Sequence, residues 1–262
     1  LHEKFPRITY EDAMLKYGSD KPDLRNPLEI SDLTNIFERD DVKFDIFKRD
    51  DVKFEIFKKL VSKGNIVRSI VTKNTIDRPR SFFDGIDKWA RGEGASGLAY
   101  FSFEQSGDKV LGKGTIGKLF SSESIEELMK ITNAKAGDSI FFACGPKEEV
   151  EKILSKARTK IADDLNLIKE DEFAFCWIVD YPMYELDEKT KKIGFSHNPF
   201  SMPQGNLDQL DFKNPLNIKA YQYDIVCNGI ELSSGAIRNH KPDLMYKLFE
   251  VAGYSKEDVD KE

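Results

Sequence analysis

Apolar residues alternate with charged ones at Val42, Phe44 and Ile46, and again at Val52, Phe54 and Ile56, a period of two that predicts strand. Both runs belong to one unit written twice, RDDVKFDIFK over residues 39–48 and RDDVKFEIFK over 49–58. Two short copies are too few for a solenoid. They read as a tandem duplication, one copy in a sheet and the other an edge strand or mobile insert. Residues 65–72 (NIVRSIVT) and 97–103 (GLAYFSF) predict further strands, separated by a helix around 80–91. Ser124-Ile125-Glu126-Glu127 reads as a capping box, and Ile125, Leu128, Met129 and Thr132 continue it at helical spacing. Gly137 and Asp138 close that segment ahead of a strand over 139–143. Pro146 suits a first helical turn, and Val150, Ile153, Leu154, Ala157, Ile161 and Leu165 form one apolar stripe, so a long amphipathic helix is expected over 146–165.

After about residue 170 the texture changes. Residues 173–179 (FAFCWIV) are continuously apolar, which predicts a strand covered on both faces, and residues 192–197 are expected to pair with it across the polar loop 185–191. Residues 221–227 and 230–238 predict a hairpin joined through Asn228-Gly229, and 242–253 a helix. Two prolines and a glycine within 17–27 mark an ordered loop and a first boundary. Alternating strands and helices with antiparallel pairing make residues 30–155 a compact α+β unit.

The chain has 262 residues, room for a core without disulfides. Hydrophobic residues make up 40% and aromatics 11%, which excludes a disordered chain. The net charge of −6 argues against a general basic coat for nucleic acid, and no apolar run approaches a membrane span. Cys144, Cys176 and Cys227 are far apart and odd in number, so they read as buried small hydrophobes of a reducing, cytoplasmic compartment. His2, His197 and His240 lack the spacing of a zinc site. The chain starts without Met and shows no signal peptide, and residues 255–262 stop inside a charged helical pattern, as expected of a fragment.

Gly112-Lys113-Gly114-Thr115-Ile116-Gly117 matches GxGxxG, and with Lys118 a phosphate loop up to its last position, where Leu119 replaces Ser or Thr. No helix is expected until about 122, so this reads as a glycine-rich loop between strands. The acidic pairs Asp40-Asp41, Asp50-Asp51 and Asp163-Asp164 read as solvated faces. The chemistry concentrates in residues 228–238. Glu231 and Arg238 lie seven apart and would face opposite sides of a plain strand, unless a bulge at Ser233-Ser234-Gly235 resets the phase. On one face, a carboxylate and a guanidinium fit a metal–phosphate contact and a carboxylate clamp. His197, ahead of Pro199 and Pro203, sits on a rigid loop at a strand end.

Phe5-Pro6-Arg7, residues 17–25 (YGSDKPDLR), 177–183 (WIVDYPM), 197–200 (HNPF) and 231–238 (ELSSGAIR) together resemble, in this order, the bacterial-type aspartyl-tRNA synthetases. Residues 30–155 resemble that family's GAD insertion domain. The resemblance implies an α+β fold in which a class II antiparallel-sheet catalytic core (1–29 and 156–262) carries the insertion. It implies activation of L-aspartate with ATP and Mg²⁺ and transfer to the 3′ end of tRNA(Asp), or of both tRNA(Asp) and tRNA(Asn), by a cytoplasmic homodimer. Glu231 matches the glutamate that contacts ATP and its Mg²⁺, Arg238 the arginine that binds the side-chain carboxylate, and His197 a histidine of the aspartate pocket. Ser233, Ser234 and Gly235 match a small run lining that pocket where many relatives carry glycines. The family's anticodon-binding barrel is absent; motif 2 and the motif 3 arginine are expected upstream and downstream of the chain, so the chain alone is expected to be inactive. A GAD-bearing tRNA-binding accessory is the alternative. The sister asparaginyl enzyme is disfavoured by the insertion and by the His197/Arg238 pair.

Overall fold

A computed structural model describes residues 4–38, 60–187 and 189–261. The duplicated segment 39–58 therefore lies outside the described residues. The strands are β1 (Arg7–Thr9), β2 (Ile30–Asp32), β3 (Ile66–Thr72), β4 (Ala99–Ser106), β5 (Lys109–Lys113), β6 (Ser139–Gly145), β7 (Phe175–Val179), β8 (Tyr184–Leu186), β9 (Ile193–Phe195), β10 (Gln222–Cys227) and β11 (Ile230–Ala236). Two compact units form. One comprises residues 1–13, 20–24 and 172–262, the other 14–19 and 25–171. The second unit thus runs past the expected boundary at 155. The helix Lys147–Asp164 spans that point, and its stripe of Ile153, Leu154, Ala157 and Ile161 is buried in the same core as Phe83, Ile86 and Phe141.

The larger unit is built on an antiparallel sheet ordered β2-β3-β6-β4-β5. Residues 140–144 of its central strand β6 are apolar without interruption because both faces are covered. Ile140 and Phe142 pack with Phe101, Phe103 and the helix Ser122–Thr132. Phe141 and Ala143 pack with the helices Arg80–Gly92 and Lys147–Asp164. The Ser122–Thr132 helix starts earlier than the Ser124 box implies: Ser121 is its N-cap and accepts the Ser124 amide. Arg158 is buried on the stripe helix and donates to the carbonyls of Leu28 and Asn26 at 2.6 and 2.7 Å, while the Asn26 amide returns a bond to the Arg158 carbonyl.

The GxGxxG run ends β5 and enters the turn Gly117–Leu119, and the helix follows only at Ser122. A Cβ on Gly117 would stand 2.6 Å from the Gly112 carbonyl carbon, and one on Gly112 would strike the Gly117 backbone. The glycines therefore let two backbone segments touch, not phosphate approach.

The smaller unit holds a sheet ordered β1-β7-β10-β11. Its β7–β10 and β10–β11 pairs are antiparallel, and β1 joins β7 in parallel. Residues 193–195 pair with β8, not with β7 as the sequence led us to expect. The chain leaves β7 at Asp180, which adopts φ +58°, and Asp187 closes the β8–β9 turn by accepting the Lys189 and Thr190 amides. Exposed Phe173 falls outside β7. A core of Met183, Tyr184, Met202, Ile218, Leu244 and Leu248 backs this unit. Cys144, Cys176 and Cys227 are free thiols; burial pushes those of Cys144 and Cys176 up to about 11, so both are protonated at neutral pH.

Gly117→Ala is expected to destabilise the larger unit by about 1–3 kcal/mol, the usual cost of forcing extra volume into a closed contact. Urea unfolding of the chain measures it; a midpoint equal to wild type would show that the two segments separate freely.

Candidate functional site

Asn228 (φ 51°) and Gly229 (φ 82°) make the two-residue turn of the β10–β11 hairpin, as their sequence predicts. The turn is tied down by Asn228, whose side chain accepts the Ala174 amide and donates to the Glu172 carbonyl. The register then places residues by face. Gln222 pairs with Ala236, Asp224 with Ser234 and Val226 with Glu231, so these side chains share one face. Ile225 pairs with Ser233, which leaves Leu232 as an extra residue. The bulge that resets the phase is thus at Leu232, ahead of the small run where it was expected. It brings Glu231 onto the face of Asp224, and alternation through Ile237 carries Arg238 to the same side.

Of the small run, Ser234 lies on this face, whereas Ser233 and Gly235 pair with Ile225 and Tyr223 on the other. A Cβ on Gly235 would stand 2.5 Å from the Tyr223 ring, so the glycine makes room for that aromatic.

Around Glu231 and Asp224 gathers a charge cluster absent from the sequence reading. Lys21 Nζ lies 2.8 Å from Asp20 Oδ2 and 3.2 Å from Glu231 Oε2. The 20–24 segment is held there by close packing on the turn, since the Gly229 Cβ position lies 3.5 Å from Asp23 Cβ. Burial opposes the Lys21 ammonium, but Asp20 and Glu231 outweigh it and its pKa rises. Asp224 is buried. Desolvation pushes its carboxyl up, the Glu231 and Asp20 carboxylates add to this, and a hydrogen bond from the Tyr181 hydroxyl at 2.6 Å pulls the other way. Tyr181 reaches this face because Asp180 is left-handed, which breaks the alternation of β7; Gln204 pins Asp180 with a 2.6 Å bond to its carboxylate.

The His197 ring meets that of Tyr181 edge to face with centroids 4.7 Å apart, and Tyr10 is a third ring 6.0 Å from His197. Its Nδ1 is 2.8 Å from Ser196 Oγ. The loop that carries it is fastened to β10, where the Gln222 amide donates to the Asn198 carbonyl and to Ser201 Oγ. Ser201 bridges the backbone of Arg238, whose exposed guanidinium lies over Phe200 at 5.9 Å. The structure therefore brings His197, Ser234, Glu231 and Arg238 to connected positions, and adds Tyr10, Asp20, Lys21, Tyr181, Gln222 and Asp224. One signal was available for Asp224. It precedes Glu231 by the same seven residues that separate Glu231 from Arg238, across the turn.

Among the described residues no three His, Cys, Asp or Glu side chains come close enough to cage a metal ion unaided. Nor is any helix long and apolar enough to cross a membrane. The site can receive a cation on Asp224 and Glu231 and an anion at Arg238.

The family model for class II tRNA synthetases (D, K and N) matches residues 1–262. The chain is 68% identical over 260 residues to the aspartate–tRNA(Asp/Asn) ligase of Pelagibacter ubique, covering 99% of this chain and 42% of that protein. It is 51% identical to the protein of the same name from Beijerinckia indica (98% of this chain, 41% of the relative), and 48% identical to that of Orientia tsutsugamushi (98% and 41%). The chain thus spans about two-fifths of the length of these relatives. An α+β chain matched from end to end, with its charged groups set along one antiparallel hairpin, belongs to the class II tRNA synthetases of the aspartyl, lysyl and asparaginyl group.

Proposed function

We propose that the chain forms part of an aspartate–tRNA ligase. In this reaction an α-carboxylate oxygen of L-aspartate attacks the α-phosphorus of ATP and pyrophosphate leaves, giving aspartyl-adenylate; a hydroxyl at the 3′ end of tRNA(Asp), or of both tRNA(Asp) and tRNA(Asn), then attacks its acyl carbon, and AMP leaves. The observation that carries the reading is the hairpin itself. Asp224 and Glu231 lie on one face of β10–β11, and Arg238 lies on the same side where the chain leaves it. That arrangement suits a nucleotide with its cation at one end and a side-chain carboxylate at the other. The names of the relatives support it.

Arg238 receives the substrate's side-chain carboxylate, for which a guanidinium fork is matched in charge and shape. His197, braced by Tyr181 and Ser196, borders the same pocket, and Ser234 lines it with the Ser233 and Gly235 backbone. The donor set fits Mg²⁺ arriving with ATP. That ion takes one or two carboxylates and completes its shell with phosphate oxygens, and the crowding of Asp224 with Glu231 and Asp20 is what such an ion relieves. Asp224 and Glu231 would hold it, Lys21 would keep Glu231 in place, and the bound ion would neutralise charge on the phosphates. Residues 30–155 serve as the GAD insertion domain; the working protein is a homodimer, and its three free thiols suit the cytoplasm.

ATP–pyrophosphate exchange by the intact protein tests this reading. Exchange should depend on aspartate and not be supported by asparagine. Arg238→Leu should lower kcat/KM for aspartate roughly 30- to 4,000-fold, the equivalent of about 2–5 kcal/mol for a substrate carboxylate left unpaired once it is enclosed in the pocket. No aspartate-dependent exchange would make a tRNA-binding module the better description, and an Arg238→Leu protein that works normally would overturn the carboxylate clamp.

Asp224 supplies a second expectation. A raised carboxyl pKa means that the folded chain binds this proton more tightly than the unfolded chain. The favourable contribution is whole below the ordinary value of 3.8 and is lost as pH rises through the raised value. Asp224→Asn, which cannot ionise, should therefore melt above wild type at pH 7, with the gap closing toward pH 4. Scanning fluorimetry across this range measures it; a variant that melts lower at pH 7 would contradict the assignment.

A further inference from the structure

Tyr181 is shared by both ends of the site. Its side chain is fully buried, at 1% exposure, and its hydroxyl donates to Asp224 Oδ2 at 2.6 Å. Its ring meets His197 at 4.7 Å and Tyr10 at 5.1 Å. Its carbonyl accepts the Ala220 amide at 2.8 Å, so the residue is fastened through the backbone as well. The chain reaches this position through a left-handed, non-glycine residue, Asp180, which Gln204 holds. Such a conformation is unfavourable for a residue with a side chain and persists only where its surroundings enforce it. The local backbone is thus committed to delivering this one side chain to the face of Asp224.

We infer that Tyr181 is a positioning residue that clamps one oxygen of Asp224, leaving the other to face the nucleotide's cation in a fixed orientation, while its ring is the wall against which His197 stands. The inference rests on the reading of Asp224 and Glu231 as the cation-bearing pair. An aspartate side chain alone turns about two bonds. A hydrogen bond from a side chain that is itself locked removes that freedom before the ligand arrives, which is how outer residues tune carboxylate ligands. The hydroxyl and the ring serve different partners, Asp224 and His197, so two substitutions separate them. Tyr181→Phe keeps the three-ring contact and removes only the bond to Asp224. Tyr181→Leu removes both.

The test uses the intact protein and two probes. Binding of the Mn²⁺ complex of a non-hydrolysable ATP analogue is followed by water-proton relaxation, and binding of L-aspartate by calorimetry. Tyr181→Phe should weaken the Mn²⁺–nucleotide complex about 10- to 100-fold, the range seen when the outer partner of a metal ligand is removed. Its affinity for aspartate should stay within about twofold of wild type. Tyr181→Leu should weaken both. Wild-type Mn²⁺–nucleotide affinity in Tyr181→Phe overturns the inference. So does an equal loss of both affinities in that variant, whatever its melting temperature, because a purely structural role moves the two together. Asp224→Asn separates the levels of the argument. If it loses the Mn²⁺ complex while Tyr181→Phe does not, the inference about Tyr181 falls alone. If it too binds like wild type, the cation reading fails and takes the inference with it.

Discussion

A buried carboxylate next to other carboxylates has to be held by something, and Asp224 sets that demand for its unit. Withdrawing such a charge from water costs several kcal/mol unless donors or a cation answer it. The fold answers in layers. Tyr181 donates from one side. Glu231, which would add to the repulsion, is engaged by Lys21, and Lys21 in turn by Asp20. Each of these residues depends on an unusual piece of backbone. Tyr181 needs the left-handed Asp180, Glu231 needs the bulge at Leu232, and Lys21 needs the 20–24 segment packed on Gly229. The irregularities of this unit are thus where its charges are placed, and the regular strands between them keep the spacing.

The larger unit follows a different logic. Its central strand is covered on both faces, so residues 140–144 of β6 alternate between two apolar layers. Several of its buried polar groups are satisfied inside the fold. Arg158 and Asn26 exchange bonds with each other's backbone, and Asp138 receives the amides of Asn74 and Lys135. These groups brace chain segments distant in sequence. The glycine-rich run belongs to the same logic, because it closes a backbone contact that any side chain would block.

What the sequence disclosed follows from this contrast. The stripe Val150–Ile153–Leu154–Ala157–Ile161 is long and periodic, and it became the buried face of Lys147–Asp164. Asn-Gly between two apolar runs named its own turn. Glu231 and Arg238 were legible as chemistry because a carboxylate and a guanidinium near a small-residue run are unusual. The pairing of β9 with β8 was not legible, since three-residue strands carry too little periodicity to choose a partner. The bulge at Leu232 and the left-handed Asp180 were hidden for a related reason: neither uses glycine, the residue that usually announces such geometry. Because those two positions aim Glu231 and Tyr181, the charge cluster of Asp20, Lys21 and Asp224 stayed hidden with them.

The Asn228-Gly229 turn also bears on how the protein ages. An asparagine followed by glycine is chemically fragile: the glycine nitrogen attacks the side-chain carbonyl carbon, ammonia leaves, and the succinimide opens to aspartate or isoaspartate. In the folded hairpin the Asn228 amide is occupied at both ends, by Ala174 and Glu172, and both turn residues are fixed at positive φ. Those two hydrogen bonds restrain the amide. Isoaspartate would insert an extra atom into the main chain at the one turn that sets the β10–β11 register, and a slip there moves side chains to the wrong face. How rarely this turn opens therefore bears on how long the site keeps its register, and the contacts from Ala174 and Glu172 are what keep it closed.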